Sequence, residues 1–74
     1  MDIVEARKAF GDQAEVTLEW TADTYTLNWD GTYIDTLVIG GWVKATWPDG
    51  QITKYGESMS EALERVVEEY RHAR

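Results

Sequence analysis

Lysine and arginine are missing from residue 9 to residue 43 of this 74-residue chain. Lys8 and Lys44 bound the gap, which carries Asp12, Glu15, Glu19, Asp23, Asp30 and Asp35. Overall, 14 acids face 7 bases, for a formal charge of −7. No basic patch with interleaved aromatics exists for holding a phosphate backbone. A surface of one sign repels nucleic acid and attracts basic partners.

Other absences narrow the chemistry. With no cysteine, disulfides and thiolate metal sites are excluded, and a reducing compartment fits. His72 is the single histidine. It can reach Glu68 one helical turn back, but it reads as a solvated residue near the chain end. No Ser/His/Asp set can be assembled around it. No glycine run matches a phosphate loop. No carboxylate is flanked by residues that would bury it for acid–base work. The expectation is therefore no enzyme, no catalytic residue, no cofactor and no metal. No segment approaches the roughly 20 apolar residues that span a bilayer. The opening MDIVEARKAF has two acids and no apolar run, unlike a secretory signal. These features point to a soluble, cytoplasmic protein with no membrane contact.

What is present specifies a small domain. A chain this short buries only about 60% of its unfolded surface, so the core must be efficient. Four tryptophans, four tyrosines and one phenylalanine supply large apolar area per residue. The sequence shows no repeat, low-complexity tract or linker and reads as a single domain over residues 1–74.

Asp2 to Phe10 reads as a short helix, with Asp2 as cap and Glu5 three residues on. Ile3, Ala6 and Phe10 share one side, and Gly11 ends it. Residues 14–20 alternate, with Val16, Leu18 and Trp20 on one face and Glu15, Thr17 and Glu19 on the other. That period of two marks a half-buried strand. Residues 25–29 repeat it with Tyr25, Leu27 and Trp29.

Thr21–Thr24 reads as a loop joining these strands. Asp30-Gly31 and Gly40-Gly41 read as two-residue hairpin turns, because both dipeptides tolerate positive φ. Pro48-Asp49-Gly50-Gln51 reads as a third turn, with Trp47 opposite Ile52. These registers place Val16, Leu18, Trp20, Tyr25, Leu27, Trp29, Ile34, Val38, Val43, Ala45, Trp47 and Ile52 on one face. A one-residue slip would invert everything after it.

Ser58 with Glu61 forms a capping box. Met59, Ala62, Leu63, Val66, Val67 and Tyr70 then build one apolar helical stripe. The expected fold is α+β: a short N-terminal helix, a five-stranded antiparallel meander and a C-terminal amphipathic helix packed on one face.

Residues 41–70 resemble the core of HicB-type antitoxins, in which a strand runs into a Phe-Pro-Asp turn. A second strand then leads to a glycine and an S/T-x-x-E-A-L helix. Here Trp47-Pro48-Asp49, Gly56 and Ser58 with Glu61-Ala62-Leu63 occupy those places. The family's following strand and DNA-binding tail have no counterpart in these residues. On the meander reading, three strands precede the match where the family has one. The resemblance implies an acidic blocker of a small basic RNA-cleaving toxin, and not direct nucleic-acid binding.

Two surfaces are candidate protein-binding sites. The first is acidic: Glu15, Glu19, Asp23, Asp30 and Asp35, with Glu15 and Glu19 about 13–14 Å apart along a strand. Acids of this kind also form turns and keep small proteins soluble. The second is aromatic: Tyr33, Leu37, Ile39, Trp42 and Tyr55, all expected to point away from the C-terminal helix. Such a patch is either an interface or lies under the N-terminal helix, through Ile3 and Phe10.

The leading expectation is a non-enzymatic inhibitor of a basic, nucleic-acid-handling protein. It would resemble an antitoxin or a phage anti-defence protein such as an anti-CRISPR, acting as a nucleic-acid mimic. The alternative is a structural module that forms a homodimer through the aromatic face.

Overall fold

The computed structural model describes residues 1–11, 15–29 and 33–72, and the side chains of Trp29, Tyr33 and Ile34 lie outside that description. The elements are α1 (Ile3–Ala9), β1 (Thr17–Trp29), β2 (Tyr33–Trp47), β3 (Gly50–Gly56) and α2 (Met59–His72). The strands form one antiparallel sheet in the order β1-β2-β3.

The α+β class is as expected, but the five-stranded meander is not formed. Two of its expected turns are strand interior. Thr21–Thr24 runs straight through β1, with Ala22 opposite Gly41 and Asp23 opposite Gly40. This stretch has no glycine or proline, and its threonines are β-branched, so extended pairing is the better local choice. Continuous alternation then puts Tyr25 and Leu27 on the face opposite Trp20. They leave the core to which the meander assigned them.

Gly40-Gly41 is likewise not a turn. Gly40, at φ 147°, sits at a β-bulge: Asp23 pairs with Gly40 and Thr24 with Val38, which leaves Ile39 without a cross-strand partner. Gly41 is needed for close approach. A Cβ there would overlap the Thr21 carbonyl oxygen and come within 2.7 Å of Trp20 Cη2, because that indole lies over it.

Two further registers shift. Trp29 pairs with Tyr33, so Leu27 faces Asp35, where a two-residue Asp30-Gly31 turn would set it opposite Ile34. Trp47 pairs with Gly50 across Pro48-Asp49, so Ile52 faces Ala45 rather than Trp47. The second shift is by two residues and keeps Ile52 on the core face.

The core sits at one end of the molecule. Val43 and Ala45 of β2 meet Ala62, Leu63, Val66 and Val67 of α2, all buried, while Leu18, Trp20, Trp47 and Ile52 are half-buried around them. The helix forms as its stripe dictates, and the Ser58 hydroxyl accepts the Glu61 amide at 3.2 Å. In α1, the Asp2 carboxylate accepts the Glu5 amide at 2.9 Å.

α1 lies beside α2, not across the outer sheet face. Its neighbour Phe10 is buried, with ring centroids 4.3 Å from Tyr70 and 5.8 Å from Trp47. Ile3 packs against the same core. The aromatic outer face is therefore not covered by the N-terminal helix.

β3 pairs only with Gly41–Trp47, and no described side chain between residues 21 and 40 joins the core cluster. The outer halves of β1 and β2 thus project as a two-stranded ribbon. The molecule measures 52 × 19 × 19 Å, with a radius of gyration of 15.3 Å. A compact chain of this length would have a radius of about 11 Å.

Candidate protein-interaction surface

The ribbon and the sheet carry an outer face that neither helix touches. Register and alternation place Thr21, Trp42 and Tyr55 in one row, Asp23 and Gly40 in the next, then Tyr25 with Leu37, then Leu27 with Asp35. Trp42 and Tyr55 are in ring contact, with centroids 6.1 Å apart. The Tyr55 hydroxyl reaches over Gly40, where a Cβ would collide with it. The missing side chain at Gly40 thus lets the aromatic row extend toward Tyr25 and Leu37.

Tyr25, Leu37, Val38, Ile39, Trp42 and Tyr55 are all exposed, from 41% at Trp42 to 62% at Val38. Of these, Tyr25, Leu37, Trp42 and Tyr55 share the outer face, and soluble monomers seldom leave such an apolar stripe open. The opposite face of the ribbon differs: among its described side chains Thr24, Thr26, Asn28 and Thr36 are polar, and Val38 is the apolar exception.

Of the expected aromatic set, Leu37, Ile39, Trp42 and Tyr55 are exposed, and Leu37, Trp42 and Tyr55 share the outer face. Ile39 is the bulge residue, and the Tyr33 side chain lies outside the described residues. Ile39 with Trp42 and Leu37 with Lys44, the pairs that a two-residue Gly40-Gly41 turn would oppose, do not form, because all four residues lie along β2.

Of the acidic set, Asp23 and Asp35 are half-buried on this same outer face. Glu19 is exposed there too, but directly opposite Lys44, the base that closes the base-free stretch. Glu15 is exposed in the turn before β1. Asp12 and Asp30 lie outside the described residues. The two candidate surfaces are thus largely one: an aromatic stripe edged with carboxylates.

Sequence reasoning missed Tyr25, which it assigned to the core. The available signal was negative: a turn at residues 21–24 would lack glycine and proline.

A groove elsewhere lies between β3 and α2, about 360 Å³ in volume, and is lined by Lys54, Tyr55, Arg65, Glu68, Glu69 and His72. Its cations are engaged: Lys54 pairs with Glu69 at 3.6 Å, and Arg65 pairs with Glu61 at 2.6 Å. Arg65 also donates to the Tyr55 carbonyl at 2.9 Å. His72 is exposed in the last turn of α2. Among the described residues, no group of three or more His, Cys, Asp or Glu could hold a metal ion. No helix among them is long and apolar enough to cross a membrane. No protein-family model matches this chain, and no curated protein or solved structure is significantly similar to it.

Proposed function

We propose that this protein is a non-enzymatic acidic binder that occupies the basic surface of a nucleic-acid-handling protein and blocks it. One observation carries the reading. The base-free stretch from residue 9 to residue 43 coincides with all of β1 and most of β2, including the whole projecting ribbon. Its outer face joins carboxylates to exposed aromatics. Aromatics anchor protein interfaces, and charge complementarity steers encounter. Antitoxins and phage anti-defence inhibitors work in this way. The strand–turn–strand–glycine–helix order of β2, β3 and α2 supports the likeness to HicB-type antitoxins. β1 and the outer half of β2 are what precede that unit, rather than three separate strands.

A second reading, self-association through the outer face, is favoured by the exposure of Trp42 and Tyr55. Each copy would, however, bring Asp23 and Asp35 to the same interface, where Lys44 is the one base among the described outer-face residues.

The test is capture by cross-linking in the source cells, followed by purification of the captured partner. The partner should be basic, and its nucleic-acid activity should fall when the chain is added. Affinity should drop between about 50 and 500 mM salt, since exposed charges are screened beyond roughly 8–10 Å at ordinary ionic strength. A neutral or acidic partner, or affinity flat across that range, would sink the reading.

A further inference from the structure

The sheet has two long outer edges, and they are treated differently. On β3, Lys54 points to the helix side, opposite Val43, and is held by Glu69 at 3.6 Å. The next carbonyl, Tyr55, is occupied by Arg65 at 2.9 Å. An inward lysine and a bonded edge carbonyl are devices that stop a further strand from adding. The short β2 edge past Gly56 is interrupted by the bulge at Ile39.

β1 has none of these devices. Its 13 residues contain no proline, lysine or arginine, and four are threonine. The extra residue of the bulge belongs to β2, so β1 alternates without interruption. Among the described residues, nothing pairs with its outer edge. Arg7 reaches only the Val16 carbonyl, at 3.2 Å, just before the strand begins. A two-stranded ribbon is marginal by itself, and a third strand supplies what it lacks.

We infer that the outer edge of β1, from Thr21 to Leu27, receives an extended segment of a partner protein by strand addition, with lysine or arginine on its alternate positions. The inference rests on the acidic-binder reading and adds its mode. Main-chain hydrogen bonds supply affinity, and alternate side chains supply choice. On the outer face of β1, the half-buried Asp23 lies opposite Gly40, and among the described residues no base is paired with it, so it can take one from the incoming strand. Tyr25 and Leu27 follow on the same face, where they can pack against the aliphatic stems of the incoming bases. A second copy fits poorly, because its β1 has no lysine or arginine to set against Asp23.

The probe is a synthetic nine-residue peptide with blocked ends, lysine at every second position, and valine or threonine between. It is added to the full chain, and amide exchange is followed by nuclear magnetic resonance. Exchange should slow about tenfold or more at every second amide from Thr21 to Leu27, and remain unchanged in β3. N-methylation of the peptide along one edge should abolish binding. Asp23→Lys should weaken binding roughly tenfold or more. Salt-sensitive binding that leaves the β1 amides unprotected, or that survives N-methylation, would overturn strand addition while leaving the acidic-binder reading intact. Failure of the peptide to bind would also overturn it. So would β1 amides already protected in a chain that sediments as a dimer, which would give the edge to a second copy.

Discussion

Replacing Thr26 and Thr36 by cysteine tests the feature on which the binding surface depends, the continuous ribbon. The two residues are directly opposed across β1 and β2, and both are exposed. Directly opposed strand residues have Cα atoms about 4.5–5.5 Å apart, within the range a disulfide accepts. The bond would close a loop of about 11 residues, and the chain-entropy relation then gives about 2.7 kcal/mol. For a domain of this size each kcal/mol moves the melting midpoint by about 4–8 °C. The oxidised protein should therefore melt about 10–20 °C above its reduced form if the ribbon unfolds with the body. A smaller rise, with protection confined to ribbon amides, is expected if the ribbon opens first. The assays are thiol titration, mass of the monomer, and thermal unfolding with and without reductant. Cysteines at Leu37 and Lys44 provide the control. A Gly40-Gly41 hairpin would oppose them, whereas in β2 they are seven residues and about 23 Å apart. Cross-linking within the monomer at 37/44 together with failure at 26/36 would refute the ribbon and restore the meander.

Leu63 is fully buried at the centre of the core, so Leu63→Ala should cost about 2–5 kcal/mol by denaturant unfolding. A loss below about 0.5 kcal/mol would mean that α2 does not pack on the sheet as described. Trp42→Ala removes an exposed ring whose described aromatic contact is with Tyr55, so folding should lose only about 1–2 kcal/mol. Binding should lose about 2 kcal/mol or more, because a central aromatic anchors such an interface. Full partner affinity in that variant would remove the aromatic stripe from the binding surface. Reversing Glu15 and Glu19 to lysine should slow association more than it speeds dissociation, read by stopped-flow mixing with the purified partner. The effect of Glu19 should be the weaker of the two, since Lys44 already faces it.

Local patterns were readable wherever one residue's chemistry decides the outcome. Ser58 and Asp2 cap helices because their side chains accept nearby amides, and the stripe from Ala62 to Tyr70 can bury only one side of a helix. The apolar alternation at Leu18 and Trp20, and at Val43 and Ala45, likewise required strands with that face inward, and Val16 joins the core just before β1 begins. The base-free stretch, and with it the sign of the surface, is a property of the chain before it folds. Where strands end was not local. Two adjacent glycines serve a hairpin turn as well as they serve a bulge beside a site of close approach. Only the indole of Trp20 over Gly41, and the pairing of Asp23 with Gly40, select the second. The matching choice at Thr21–Thr24, strand in place of loop, moved Tyr25 and Leu27 from the core to the outer face and joined two candidate surfaces into one. Each run of alternating residues carries its own period. The phase between successive runs depends on whether the chain turns or continues, and cross-strand contacts between distant residues settle that.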